Sequence, residues 1–244
     1  MKDATRHLDR YFEGLDGLDY PRDRLSLGLL ESDSTDGTYD ALARRLPELQ
    51  ARYRRVSLHK RDFGFRIPAG HPRWEPRFQH ERRSVLAKSR NHLLMRALVD
   101  EDWVMWLDVD VISYPADILR RLLATGKDVV TPHCVLAPGG RTFDLNAWVD
   151  GGRVHMGAMR GGSELVELDA VGGTMLLVRA DAHRDGLNFP AFPYGRRNPL
   201  VRDPSPFVHD GVGELETEGL GLMARDLGYS CWGMPNLEIV HANE

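Results

Sequence analysis

The stretch Trp103-Val104-Met105-Trp106-Leu107-Asp108-Val109-Asp110 decides the fold. An apolar run of this length, bounded by polar residues, reads as a short buried strand. It delivers two carboxylates to the strand's carboxyl end, the edge at which open α/β sheets bind ligands. Hard oxygens there suit a divalent cation that also touches phosphate oxygens. Side chains at i and i+2 of an extended segment point the same way, so both aspartates are expected to address one cation, directly or through water. The pattern points to metal-assisted chemistry on a nucleotide diphosphate, with sugar-nucleotide transfer as first candidate. Two aspartates capping the turn into Ser113-Tyr114-Pro115 are the plainer alternative.

Upstream, residues 25–30 read as another strand, running into the polar turn 31–38. A helix follows over about 39–53, bent or restarted at Pro47. Residues 54–58 read as a strand, 62–78 as a long loop rich in glycine and proline, and 79–99 as a helix. Downstream come a helix over 115–124 with proline at its start, a strand over 128–136, hairpins and loops over 138–162, and a strand over 174–179. Residues 190–206 hold five prolines and are expected to be irregular. A helix over 214–227 and strands over 229–232 and 238–241 complete the chain. Alternation of strands and helices predicts an α/β domain with a mainly parallel sheet flanked by helices.

The 244 residues suit one large domain, whose nucleotide-binding half spans about 1–112 and acceptor half about 113–244. A net charge of −4 gives no reason to expect nucleic acid. Basic residues nonetheless concentrate between Arg52 and Arg96, as a solvated face or as a wall toward an anionic substrate. Cys134 and Cys231 lack metal-ligand spacing and are expected as buried free thiols, which fits a cytoplasmic chain. No segment reaches the ~18 apolar residues of a membrane span, and the polar start is no signal peptide.

Three further segments carry candidate chemistry. Ser32-Asp33-Ser34-Thr35-Asp36-Gly37-Thr38 offers hydroxyls and carboxylates suited to a ribose or base, or simply a helix start capped by Asp36 or Thr38. Glu216 and Glu218 open or lie in the last helix, where they favour its N-terminal dipole. His241 is a ligand or a packed histidine.

These segments fall into one order. LSLGLLESDSTDGTYDAL, ERRSVLAKSRNHLL, WVMWLDVDV, FDLNAW, VGGTMLLVRADAHRDGLNFPAFP, ETEGLGLMARDLGY and GMPNLEIVHANE together resemble the Anp/Mnn/Van-type mannosyltransferases, glycosyltransferase family 62. The resemblance implies a GT-A fold, GDP-mannose as donor, a divalent cation (Mn2+ or Mg2+) and a retaining transfer that makes an α-mannosidic bond. It implies Asp108, Asp110 and His241 as metal ligands, with Asp33, Ser34 and Asp108 on the donor nucleotide. Arg82 or Arg83 matches a basic residue facing the donor, Asp144 an acidic residue near the sugar, and Glu216 and Glu218 an acidic pair toward a glycan or lipid-linked acceptor. Family members carry an apolar strand just ahead of the position of Lys2-Asp3-Ala4, so the first strand is expected to be missing here. Homo- or hetero-oligomers and peripheral membrane association fit the resemblance, as does a Golgi lumen location for a longer fungal-type chain. A transferase with another nucleotide-sugar donor and a non-catalytic subunit of a glycosyltransferase complex are the alternatives. A nucleotidyltransferase is a third, though SDSTDGT is acidic and hydroxylic where that chemistry uses a basic, glycine-rich loop.

Overall fold

A computed structural model describes residues 1–68, 70–72, 75–196 and 210–243. Most of the irregular stretch expected over 190–206 therefore lies outside the described residues, as do Arg73 and Trp74. In chain order the elements are α1 (Leu8–Asp16), β1 (Ser26–Glu31), α2 (Thr38–Arg52), β2 (Arg55–Lys60), α3 (Pro76–Ala97), β3 (Trp103–Leu107), β4 (Val111–Ser113), α4 (Ile118–Ala124) and β5 (Val129–Val135). They continue with β6 (Trp148–Val149), β7 (Val154–His155), β8 (Val166–Leu168), β9 (Met175–Arg179), α5 (Ala180–Arg184), β10 (Tyr194–Arg196), β11 (Asp210–Glu214), α6 (Glu216–Asp226) and β12 (Cys231–His241).

The local chemistry explains most boundaries. Pro76 opens α3 at a position where its missing N–H costs nothing. The restart expected at Pro47 is absent: α2 runs through it as one helix, held by burial of Ala41, Leu42 and Leu49 against the core. The two strands expected at 229–232 and 238–241 are one strand, β12, whose register against β5 breaks between Met234 and Glu238 around Pro235. An uninterrupted buried pattern over β5 marks it as the centre of the sheet.

The main sheet runs β3-β9-β5-β12-β4, with β8 also paired to β12. β5 and β12 pair in parallel, and β9 runs antiparallel to both β3 and β5, so β3, β5 and β12 share one direction. β4 and β8 run against β12. β1 and β2 form a separate parallel pair. The parallel centre β5-β12 and β3 thus run one way, and β4, β8 and β9 run the other. One apolar cluster packs α1, α2 and α4 against the sheet, and a second packs α3, α5 and α6, so helices cover both faces. α3 lies close on β1: a Cβ on Gly28 would sit 2.6 Å from the Ala97 Cβ.

β1 bonds β2 along one edge, and its other edge faces β3 across a cavity of about 200 Å³. Leu27, Leu29, Met105, Leu107 and Leu177 line it. No strand among the described residues fills this groove. Among the described residues no helix is long and apolar enough to cross a membrane.

Candidate active site

β3 ends at Leu107, where the Asp108 N–H donates to the Thr174 carbonyl. The chain then turns, and the Val111 N–H closes onto the Asp108 carbonyl at 3.2 Å. Asp108 and Asp110 are therefore not successive same-side residues of an extended strand, as the sequence reading supposes. The turn sends them to different partners. Asp110 meets the end of β12, where the Ala242 N–H donates to its carbonyl and its Oδ1 lies 3.1 Å from His241 Nε2. His241 Nδ1 contacts the Ala242 carbonyl at 2.7 Å. Nδ1 can donate to that carbonyl, and Nε2 faces a carboxylate that can only accept, a pairing that favours a proton on each ring nitrogen; a cation at Asp110 would replace the one on Nε2. The ring is buried and stacked on Phe143, centroids 3.6 Å apart. Burial opposes charging of this imidazole, but the Asp110 hydrogen bond and charge outweigh it and raise its pKa above the ordinary value.

Asp108 meets Arg90 of α3, with Nη2 3.1 Å from its Oδ1. The same Nη2 donates to the Gly173 carbonyl at 3.0 Å, and Arg90 Nε lies 3.2 Å from Glu216 Oε1. Desolvation raises the Asp108 pKa to about 7; Arg90 opposes this, while Asp110, Glu216 and Asp144 add to it. The side chain keeps 40 % of its surface open, so solvent moderates the effect.

The loop carrying Asp144 packs against the same point. Asp144 Oδ2 accepts from the Gly173 and Thr174 N–H groups at 2.9 and 3.3 Å, and Oδ1 accepts from the Asn146 N–H at 3.0 Å. Its charge is anchored by backbone beside Asp108 and Arg90. Glu216 is buried at the first position of α6 with φ +56°, a strained conformation for a residue with a Cβ. Two residues on, Glu218 takes an ion pair from Arg83 and a hydrogen bond from Trp148 Nε1 at 3.1 Å. Arg83 also donates to the Leu215 carbonyl at 2.7 Å, which ties it to the start of α6. Arg82, its neighbour on α3, is half-buried.

Asp33 and Ser34 sit at the end of β1. Asp33, buried and at φ +55°, accepts from the Phe63 and Gly64 N–H groups at 3.0 and 2.9 Å. Burial pushes its pKa up, but those donors and Ser32 bring it below the usual carboxylate value. Ser34 Oγ accepts from the Asp3 N–H at 3.0 Å. Asp36 accepts from the N–H groups of Thr5 and Thr38 just ahead of α2, whose N-cap is Gly37 and not the Asp36 or Thr38 that the plainer sequence reading expects.

The structure thus gathers Asp108, Asp110, His241, Asp144 and Glu216 at one sheet edge, with Glu218 and Arg83 on its α6 flank. Three residues of this centre escape the sequence reading: Arg90, Phe143 and Trp148. Arg90 was detectable in principle, since it follows Arg83 on one face of α3 by roughly two helical turns. Among the described residues, no three His, Cys, Asp or Glu side chains are arranged to hold a metal on their own. Asp110 and His241 nevertheless fit a cation that completes its coordination with substrate phosphates, as hard divalent ions commonly do. Arg83 Nε and Arg90 Nη1 are buried here without hydrogen-bond partners among the described residues, unmet donors of the kind usual for a ligand centre. Both cysteines are buried free thiols, as expected.

A model of the Anp1 family matches residues 1–158 and 149–193. The mannan polymerase complex subunit MNN9 of Candida albicans is 28% identical, over 98% of this chain and 73% of its own. The mnn9 subunit of Schizosaccharomyces pombe is 30% identical, over 98% of this chain and 78% of its own. The mannan polymerase II complex anp1 subunit of the same yeast is 28% identical, and this chain spans 63% of its length. Among solved structures, mannosyltransferase PcManGT from Pyrobaculum calidifontis, in complex with GDP-Man and Mn2+, superposes with a TM-score of 0.58 at 18% identity, over 99% of this chain and 55% of that one. S. aureus TarS with UDP gives 0.52 at 13%, over 100% of this chain and 56% of that one. At such identities the superpositions speak to fold alone, and the fold is the GT-A glycosyltransferase fold.

Proposed function

The chain belongs to the Anp1 family of mannosyltransferases, and from that premise we propose that it is a divalent-cation-dependent retaining glycosyltransferase that moves mannose from GDP-mannose to a glycan or other hydroxyl acceptor in α-linkage. One observation carries the reading: Asp110 Oδ1 and His241 Nε2 stand 3.1 Å apart, beside Asp108, at the carboxyl edge of β3. The Mn2+ and GDP-Man of the archaeal neighbour support the choice of cation and donor.

When bound, the cation would supply Lewis-acid charge at the departing diphosphate. Asp110 and His241 would hold it, with Asp108 contributing the oxygen not turned to Arg90. Phe143 keeps the His241 ring in place by stacking. Arg82 or Arg83 is the basic residue proposed for the diphosphate, and Arg83 is already paired with Glu218. Asp144 presents a fixed negative charge that would favour the oxocarbenium-like state of a glycosyl transfer. Glu218 and Trp148 would edge the acceptor side, and Asp33 and Ser34 shape the nucleoside turn. The naming of the yeast relatives as complex subunits supports assembly of this chain with a further subunit.

The test is Mn2+-dependent release of GDP from GDP-mannose. Asp110→Ala should abolish it with an unchanged circular dichroism spectrum. Undiminished turnover in EDTA would refute the scheme, and tighter binding of a UDP-sugar than of GDP-mannose would reassign the donor.

A further inference from the structure

Arg90 is a cation that the chain itself supplies at the heart of this centre. Its side chain is 12 % exposed, and the guanidinium stands 5.1 Å from the Phe189 ring centroid and 5.9 Å from that of Trp106. Such aromatic walls favour a cation and fix its plane. From that seat it touches Asp108 and the Gly173 carbonyl through Nη2, and Glu216 through Nε. The seat is close-fitting: a Cβ on Gly173 would lie 2.8 Å from both Nη1 and Nη2. Its two carboxylate partners come from distant elements, Asp108 from the end of β3 and Glu216 from the start of α6. Glu216 also holds a positive φ, a conformation that persists only when its surroundings enforce it.

We infer that Arg90 is the positioning residue of the centre, a single guanidinium that locks the Asp108 carboxylate at the cation side to the Glu216 carboxylate at the α6 side. The catalytic part of this inference rests on the proposed transferase reading; the lock itself does not. A planar fork can serve Asp108, Gly173 and Glu216 at once, and a lysine ammonium of equal charge has one compact head and cannot span them in the same geometry.

Two measurements test it. The first is a double-mutant cycle read as melting temperature in EDTA, with Arg90→Met, Glu216→Gln and the pair. Each single change should lower the melting temperature, and the double variant should lose clearly less than their sum, because removing both charges leaves neither stranded. Additive losses would overturn the lock. The second uses Arg90→Lys, which guards against a methionine variant too unstable to purify. It should fold, and its Mn2+-dependent release of GDP from GDP-mannose should fall in kcat by roughly 10²-fold, with KM within about threefold, as expected of misplaced rather than missing groups. Wild-type kcat in Arg90→Lys would overturn the positioning role. A wild-type protein without Mn2+-dependent turnover would instead refute the transferase reading, and the cycle in EDTA would still decide the lock.

Discussion

Two acidic regions lie at the same edge of this molecule, and they use their carboxylates in opposite ways. At the end of β1, Asp33 receives the Phe63 and Gly64 N–H groups, and Asp36 receives those of Thr5 and Thr38. Donors outnumber charges there, and the pKa values fall, for Asp36 to about 2. At the end of β3, Asp108, Asp110, Asp144 and Glu216 crowd together around one guanidinium, and Asp108 rises to about 7. The first region spends its negative charge on shaping loops, whereas the second keeps charge in excess. Excess negative charge beside an imidazole that can give up its Nε2 proton is what a divalent cation needs, and counting acidic residues could not have separated the two regions.

The largest expected effect breaks the comparison at its functional end. Asp110→Asn should lower Mn2+-dependent GDP release by roughly 10³-fold or more, while Asp36→Asn keeps most of it; steady-state kinetics on the two variants decides. Next comes Asp33→Ala, which strands two backbone donors and should cost about 1–3 kcal/mol in urea unfolding. Glu218→Gln weakens the Arg83 and Trp148 contacts, at about 1–2 kcal/mol, and should impair acceptor use more than donor hydrolysis. Equal loss of both activities would give Glu218 another role.

The smallest effect sharpens the comparison through pH. Asp36 is depressed, so its contribution to stability is present above the ordinary carboxylate pKa and is lost as pH falls toward about 2. Asp108 is raised, so in EDTA its ionisation destabilises the fold as pH climbs from about 4 through about 7. Asp36→Asn should flatten the acid limb of a melting-temperature profile, and Asp108→Asn the neutral limb. Both groups keep contact with solvent, so the slopes are expected to be shallow.

The sequence announced the sheet edge well because the apolar run into Asp108 has one good reading. The α/β class followed from the alternation of strands and helices, and the GT-A fold and the interest in His241 from the resemblance. Other features were hidden for physical reasons. α1 is a polar-looking stretch whose buried face, Leu8, Tyr11, Phe12 and Leu15, shows only against its partners. β4 is too short for a period, and Pro235 disguised β12 as two strands. The turn between Asp108 and Asp110 is set by one backbone hydrogen bond, invisible to a reading that continued the strand. Arg90 lay hidden because a basic residue on a basic helix looks solvated until Asp108 and Glu216 are brought to it by β3 and α6.

The central claim is that the β3 edge, and not the β1 turn, is a cation site. Mn2+ binding followed by electron paramagnetic resonance, through loss of the free-ion signal, tests it most directly. With GDP present, wild-type protein and Asp36→Asn should each bind one Mn2+ per chain, and Asp110→Ala and His241→Ala should bind none. Stoichiometric Mn2+ binding that survives loss of both Asp110 and His241 would contradict the account.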